Sequence, residues 1–267
     1  MSVYLQVLQN GNAKMNAIKP DEITCPDALL PMIKNPVFHL KPRSRSWLFT
    51  LMIFTMFSLI HCYCYGAEKR GTFRDDRDGQ IYEWVLIGKQ VWMAQNLNYK
   101  SNSGSYFYDN DEQAGKVHGR LYTWDAVMKQ DISPRGWHVP SNEEWEELAT
   151  YVAKHNKGAV KKGNLWTRIG TSLKARTGWA APQYNGTDNF GFAALPAGRM
   201  SPVGVFQHGG LGSDRNRARF WSTTEADSER AWNRGVFNGD RFISYSALKG
   251  RAISVRCVRD VSLVDQN

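Results

Sequence analysis

One stretch of the sequence, residues 136–148, changes from an extended segment to a helix within a few residues. Ser141 is a natural helix N-cap, and Glu144 completes a capping box in which each side chain satisfies a backbone amide at the helix start. Apolar residues then return at helical spacing on one face: Trp145, Leu148, Ala149 and Val152. The pattern predicts a helix over residues 142–154 that packs this face on a core. Just before the cap, Trp137 and Val139 alternate with His138, which is typical of a half-buried strand.

Other local signals predict a single α+β domain over residues 71–261. Residues 81–87 and 90–93 are rich in aromatic and β-branched side chains and flank a Gly88-Lys89 turn, which predicts a hairpin. Asn238-Gly239 is a strong hairpin turn signal that pairs residues 232–237 with residues 241–247. The other predicted elements are a first helix near residues 121–129, an extended run at 189–198, and strands at 220–224 and 252–259.

Several segments between these elements are predicted to be loops because glycine and polar residues are frequent in them. They are residues 98–118, 156–174, 179–188 and 207–219. Asp78-Gly79 favours a turn before the first hairpin. It does not match a calcium loop, because Arg74 occupies the position of the first oxygen ligand.

The first part of the chain, residues 1–46, contains five prolines and no sustained periodicity, so it reads as an irregular leader. A basic flank precedes the uncharged residues 47–60, and small residues follow, which is typical of a secretory signal cut after Gly66 or Ala67. Two alternatives stay open for residues 47–67: lipidation at Cys62, and an uncleaved membrane anchor. Translation from Met32 would give a leader of conventional length. In each case we expect export to the cell envelope or outer surface.

Charge and cysteine content give no support for nucleic acid binding or for a site built on cysteines. The formal net charge is +9 for the whole chain, and about +6 without residues 1–67. A solvated basic surface explains this excess, and no motif indicates nucleic acid binding. If the leader is removed, Cys257 is the one remaining cysteine, so we expect a buried free thiol. No cysteine-based zinc site and no intrachain disulfide framework are then expected.

Seven blocks, in order along the chain, resemble the Fibrobacter succinogenes major paralogous domain. They include Gly-Trp-His-Val-Pro-Ser at residues 136–141 and Phe-Trp-Ser-Thr-Thr-Glu at residues 220–225. The other blocks lie at residues 78–82, 87–99, 119–124, 191–198 and 254–260.

The resemblance implies an exported or surface protein of bacteria, often a lipoprotein, in a family whose biochemical role is not established. It also implies a C-type lectin-like fold, shared with formylglycine-generating enzymes, in which two helices pack on irregular antiparallel sheets and the chain ends meet. Two positions depart from the family. Gln95 stands where a glutamate is usual, and Ser133 stands where a cysteine commonly precedes Pro-x-Gly-Trp-His. If that cysteine pairs with the one in the last strand, Cys257 has lost its partner here.

No catalytic site is expected. An oxidase of the formylglycine-generating kind needs paired cysteines, and the exported part has one. The glutamates at 143, 144, 146 and 147 are explained by the cap and a solvated helix face. His138 is read as a structural histidine, because the sequence identifies no partner for it. Trp232-Asn233-Arg234 resembles the Trp-Asn-Asp of calcium-dependent lectins, but Arg234 replaces the carboxylate that would hold calcium, so metal-dependent sugar binding is disfavoured.

The remaining hypothesis is a non-catalytic binding domain without cofactor or metal, which contacts a cell-surface glycan or an envelope protein. Its candidate residues are aromatic and arginine side chains on the predicted loops: Tyr106, Phe107, Tyr108, Trp179, Tyr184, Arg215, Arg217 and Arg219. Loop aromatics can stack on sugars or anchor a partner, but burial under the loop is an equal alternative for each. The rival functions are a structural surface module without a specific ligand, and an enzyme with an unrecognised site.

Overall fold

The computed structural model describes residues 69–129, 132–207, 217–237 and 239–261. The predictions made for the leader, for residues 47–67, for a start at Met32, and for lipidation at Cys62 therefore lie outside the described residues. Residues 68–267 group into one unit by their contacts. Within the described part, no helix is long and apolar enough to span a membrane.

A four-stranded antiparallel sheet joins the beginning and the end of the domain. Its strands, in spatial order, are β1 (Arg70–Arg74), β2 (Ile81–Ile87), β3 (Gln90–Met93) and β14 (Val258–Asp260). The predicted hairpin is confirmed, because β2 pairs with β3 around the Gly88-Lys89 turn. Gly88 has a φ of +66°, which glycine adopts at little cost. The predicted extended segment is also confirmed, since His138 forms a bridge to Val258 next to this sheet.

The second sheet has ten strands and carries most of the chain after residue 100. Its strands are β4 (Ser105–Tyr106), β5 (Leu121–Thr123), β6 (Val160–Lys162), β7 (Leu165–Thr167), β8 (Arg199–Met200), β9 (Phe206–Gln207), β10 (Arg217–Glu225), β11 (Arg230–Phe237), β12 (Arg241–Leu248) and β13 (Ala252–Ser254). The spatial order is β4-β5-β13-β10-β11-β12-β7-β6, and β8 with β9 branches from β13. The late hairpin is confirmed as well, because β11 pairs with β12 from Ala231↔Ala247 to Val236↔Phe242.

Four α-helices complete the α+β architecture of the described residues: α1 (Glu112–His118), α2 (Trp124–Met128), α3 (Asn142–His155) and α4 (Gly170–Leu173). The predicted capping box of α3 is confirmed: Ser141 Oγ accepts from the Glu144 amide, and the Glu144 carboxylate accepts from the Ser141 amide. The buried face of α3 contains the four predicted residues Trp145, Leu148, Ala149 and Val152.

Several predicted boundaries were wrong. Residues 121–123 form strand β5 and not the start of a helix, because they pair with β13 and β4. Thr123 then caps the short helix α2 by accepting from the Ala126 amide. The predicted loop 98–118 contains α1, and the predicted loop 156–174 contains β6, β7 and α4. Strands β5 and β7 are set by pairing with β13 and β12, which are distant in the sequence, and local composition does not reveal this.

Two large apolar clusters fill the space between the sheets and the helices. Trp145 is central to the first, with its ring stacked on Phe220 at a centroid distance of 5.6 Å and lying 4.6 Å from Trp92. Its indole Nε1–H donates to the Trp221 carbonyl at 3.2 Å, so the buried polar atom is satisfied. Truncation of a core tryptophan of this kind costs about 3 to 5 kcal/mol.

A buried arginine links the late strands to the glycine-rich segment before β8. Arg256 donates to the carbonyls of Phe192 and Ala193 and to Asn96 Oδ1. Its guanidinium also lies 4.4 Å from the Phe192 ring centroid. Burial lowers the pKa of Arg256 to about 9. The Arg256 side chain therefore stabilises the segment around Phe192 and Ala193, which forms few strand pairs.

Candidate functional site

The aromatic residues that the sequence singled out on the first loop pack against a small third cluster. Tyr106 lies in β4, and Tyr108 packs edge-on against Phe206 with a centroid distance of 5.5 Å. Tyr108 also lies directly over Gly198, so a side chain at that position would collide with its ring. Both tyrosines are half-buried, and the structure does bring them together. Their role in ligand contact stays a prediction.

Trp179 is buried, which is the alternative that the sequence left open. Its side chain is 7% exposed, and its indole Nε1–H donates to the Ala194 carbonyl at 3.1 Å. The expectation that Trp179 offers a ring to a ligand is therefore wrong. Trp179 belongs to the first apolar cluster, and Tyr184 packs against that cluster but is half-buried.

The predicted loop arginines lie on a strand. Arg217 and Arg219 begin β10 and pair with Phe237 and Gly235 of β11, so the loop prediction is wrong at these positions. The guanidinium groups stack 5.0 Å from the ring centroids of Phe237 and of Tyr245, respectively. Arg219 is 8% exposed and leaves little surface for a ligand. Arg215, the third arginine of this group, lies outside the described residues.

A cleft of about 140 Å³ opens elsewhere, between the start of α3 and the β7-β12-β11 part of the second sheet. None of the described loop candidates lines it. Its lining residues are Asn142, Glu146, Lys161, Gly163, Asn164, Trp166, Trp232, Arg234, Phe242 and Ser244.

Strand register explains how residues far apart in the sequence share this cleft. Arg234 of β11 lies opposite Ser244 of β12, and Phe242 of β12 lies opposite Trp166 of β7. Alternate residues of a strand point to the same face, so Trp232 lies on the same side of the sheet as Arg234. The register of β11, β12 and β7 therefore sets which side chains share the cleft.

Trp166 is held in place from two sides. It packs against the first apolar cluster, and its indole Nε1–H donates to Glu146 Oε1 at 3.2 Å. The same Glu146 oxygen lies 2.5 Å from Lys161 Nζ. Glu146 therefore orients the ring while Lys161 offsets its charge.

Trp232 differs from the other eight tryptophans of the described part. It is half-buried and belongs to none of the apolar clusters that the described residues form. Among those residues its ring stacks on no other ring, and its indole N–H has no hydrogen-bond partner. A large amphipathic side chain that lines a cleft and belongs to no apolar cluster is typical of a binding residue.

Arg234 lies at the base of the cleft and is 4% exposed. It donates to Ser244 Oγ and to the Asn142 carbonyl, the latter at 3.1 Å. Burial lowers the pKa of Arg234 to about 10, so the guanidinium stays charged at neutral pH. Its two hydrogen-bond partners are neutral oxygens, and Glu146 and Glu143 attract its charge without forming an ion pair with it among the described residues.

His138 and Glu144 form a separate pair outside the cleft. Their side chains meet at 2.5 Å, so the structure supplies the partner for His138 that the sequence did not identify. The hydrogen bond to Glu144 raises the pKa of His138. Burial raises the pKa of Glu144, but hydrogen bonds from His138 and the Ser141 amide outweigh it and leave the pKa lowered. Because Glu144 also caps α3, the geometry fits a structural role for both residues.

Cys257 is a buried free thiol, as predicted. Burial raises its pKa to about 12, and Ser133 Oγ is its neighbour at 3.7 Å. Such a thiol is a poor nucleophile at neutral pH. Among the described residues, no group of three or more His, Cys, Asp or Glu side chains is placed to hold a metal ion.

Sequence reasoning does not identify the cleft residues as a site. The alternation of Trp232 and Arg234 in a strand beside a hairpin turn is the one local signal, since it predicts that the two side chains share a face of the sheet. Trp166 lies in a predicted loop, and its pairing with β12 has no local signal.

The sequence matches the family model of the Fibrobacter succinogenes major domain over residues 85–259. No curated protein matches it. No solved structure matches it either. Since the family match covers well over half of the chain and agrees with the resemblance of the sequence blocks, the protein belongs to the Fibrobacter succinogenes major domain family.

Proposed function

We propose that this protein is a non-catalytic, exported carbohydrate-binding protein, and that the cleft between α3 and the β7-β12-β11 strands is its binding site. The observation that carries the proposal is Trp232, a half-buried indole that lines the cleft and lies outside every apolar cluster of the described residues. Sugar rings have apolar C–H faces and polar edges, so an aromatic ring beside fixed hydrogen-bonding groups suits them.

The polar groups around the two indoles support this assignment. Asn164 and Ser244 contribute amide and hydroxyl groups to the lining, and Glu146 with Lys161 contributes a fixed charge pair. The volume of about 140 Å³ is below the roughly 300 to 1,000 Å³ of pockets for drug-sized ligands. We therefore expect one sugar residue to enter the cleft, with the rest of the glycan along the surface.

Binding fits the lining better than hydrolysis does. Glycoside hydrolysis generally uses two carboxylic acids on opposite sides of the scissile bond. Glu146 is the one acid in the lining, and it is engaged by Lys161 and Trp166. Export and a C-type lectin-like fold remain parts of the proposal. The fold is supported by the sheet in which β1 and β14 bring the two ends of the domain together.

The test is isothermal titration calorimetry of the full-length protein with cello-, xylo-, galacto- and N-acetylglucosamine oligosaccharides and with oligogalacturonides. For the sugar that binds, Trp232→Ala is expected to weaken affinity about 30-fold, which corresponds to a hot spot of about 2 kcal/mol. The thermal midpoint should change less than for a core tryptophan, because Trp232 is only half-buried and belongs to no apolar cluster of the described residues.

Trp84→Ala is the matched control, since Trp84 is another half-buried indole and lies outside this cleft. Arg217→Ala tests the earlier loop hypothesis in the same assay. If no sugar binds, or if Trp84→Ala or Arg217→Ala weakens binding as much as Trp232→Ala does, the cleft is not the binding site.

A further inference from the structure

We infer that the sugar bound in this cleft is an acidic one, and that Arg234 binds its carboxylate. The inference rests on the proposed function, and it adds the chemical class of the ligand. Its basis is the position of a buried guanidinium at the base of the same cleft that Trp232 and Trp166 flank.

Arg234 forms fewer hydrogen bonds than a buried guanidinium can donate. A guanidinium carries five N–H donors, and buried charged groups are normally paired with an opposite charge. Here the partners are the Ser244 hydroxyl and the Asn142 carbonyl. No carboxylate of the described residues forms an ion pair with Arg234, so donors remain for a group that enters the cleft.

Other buried cations of the described residues do not face the cleft. Arg256 directs its donors to the Phe192 and Ala193 carbonyls and to Asn96. Lys174 donates to the Gly239 carbonyl and lies over the Trp179 ring. The guanidinium of Arg219 lies over the Tyr245 ring. None of the three lines the cleft. Arg234 is thus distinguished by its position, because a ligand in the cleft can reach it.

The charge of the lining favours an anion. Lys161 and Arg234 are the cations and Glu146 is the acid, which gives a net positive lining. Glu146 is already 2.5 Å from Lys161 Nζ, whereas the hydrogen-bond partners of Arg234 are neutral and it feels Glu146 and Glu143 without forming an ion pair with either. A carboxylate matches the planar fork of a guanidinium and can accept two N–H bonds at once. Uronic acids combine such a carboxylate with a sugar ring for the indoles.

The experiment compares two forms of one ligand, an oligogalacturonide as the free acid and the same oligogalacturonide fully methyl-esterified. The esterified form keeps the sugar rings and loses the charges. Calorimetry with the full-length protein is expected to give at least tenfold tighter binding of the free acid. The preference should persist in about 0.5 M salt, where exposed charges are largely screened.

Variants assign the preference to Arg234. In Arg234→Gln, the free acid and the ester should bind with equal affinity, while Arg234→Lys should recover part of the preference. Arg217→Gln is the control, since it removes a cation that lies outside the cleft, and it should leave the preference unchanged. The thermal midpoint of each variant shows whether it is folded, and the comparison of the two ligands on the wild-type protein does not depend on any variant.

The outcomes separate the two levels of the proposal. Equal binding of acid and ester by the wild-type protein overturns the acidic specificity and leaves carbohydrate binding intact. A preference lost equally in Arg217→Gln, or lost in high salt, overturns the role of Arg234 and indicates nonspecific attraction. Tighter binding of a sulfated galacto-oligosaccharide than of the oligogalacturonide overturns the assignment to a carboxylate. Absence of binding to every sugar overturns the proposed function itself.

Discussion

Replacing Ser133 by cysteine is expected to connect the loop before His138, through a disulfide with Cys257, to the residue just before the last strand. Ser133 Oγ lies 3.7 Å from Cys257 Sγ, so the two side chains already face each other. A disulfide has an S–S distance of about 2.05 Å, and the approach required is about 1.7 Å. A small rotation of either side chain supplies it.

The magnitude follows from the size of the closed loop. The two residues are separated by 124 positions, for which the chain-entropy relation gives about 5 kcal/mol at 25 °C as an upper value. Measured disulfides typically contribute about 2 to 4 kcal/mol. For a domain of this size, that range raises the thermal midpoint by roughly 5 to 15 °C.

The assay is thermal unfolding of Ser133→Cys with and without reductant, together with peptide mapping under non-reducing conditions. Mapping is needed because the full chain has four cysteines. It should identify a linked peptide that contains residues 133 and 257. Ser133→Ala and the double variant Ser133→Cys/Cys257→Ala are the controls, and neither should respond to reductant. A folded, oxidised Ser133→Cys protein without this crosslink would refute the placement of the two side chains.

Three further predictions concern the stability of the fold. The pair of His138 and Glu144 should stabilise the protein most between about pH 4.5 and 6.5. Because the pKa of His138 is raised, its contribution to the stability is complete below about pH 6.5 and is lost as the pH rises through the folded-state pKa. Because the pKa of Glu144 is lowered, its contribution to the stability is present above about pH 4.5 and is lost on acidification. Both side chains are partly exposed, so the difference in stability between wild type and His138→Gln should be at most about 1 kcal/mol and should vanish near pH 9; a constant difference across pH would contradict the ion pair. Arg256→Met should destabilise by about 3 kcal/mol or more in urea unfolding, because it leaves Asn96 and two carbonyls without their donor; a loss below about 1 kcal/mol would show that the Arg256 side chain is dispensable. Cys257 should react with iodoacetamide far more slowly in native protein than in urea, as measured by peptide mapping, and equal rates would contradict its burial.

The parts of the fold that sequence reasoning predicted correctly depend on neighbouring residues. The capping box of Ser141 and Glu144 and the two hairpins around Gly88-Lys89 and Asn238-Gly239 are determined within a few positions. Local hydrogen bonds and turn geometry are enough to specify such elements.

The wrong predictions depend on partners that are distant in the sequence. Residues 121–123 have a helical pattern but form β5, because the backbone pairs with residues 252–254. The segment around Trp166 looks like a loop, yet β12 provides a strand partner for it. Propensity is a weak guide where tertiary pairing determines the outcome.

The candidate site was the least predictable part for the same reason. Aromatic and arginine residues on loops look alike in sequence whether they bind or pack. Trp179 is buried in the first cluster and donates to the Ala194 carbonyl, whereas Trp232 is half-buried and belongs to no apolar cluster of the described residues. That difference becomes visible only when the strands are in register.

The most direct measurement is an NMR titration of the full-length protein with ¹⁵N-labelled tryptophan, followed through the indole N–H signals and assigned with single Trp→Phe variants. With the oligogalacturonide as probe, the signals of Trp232 and Trp166 should shift together and saturate with a single dissociation constant. The signal of Trp84, which lies outside the cleft, should not move. Saturable shifts confined to Trp84 or to other indoles, with Trp232 and Trp166 unchanged, would contradict binding in this cleft.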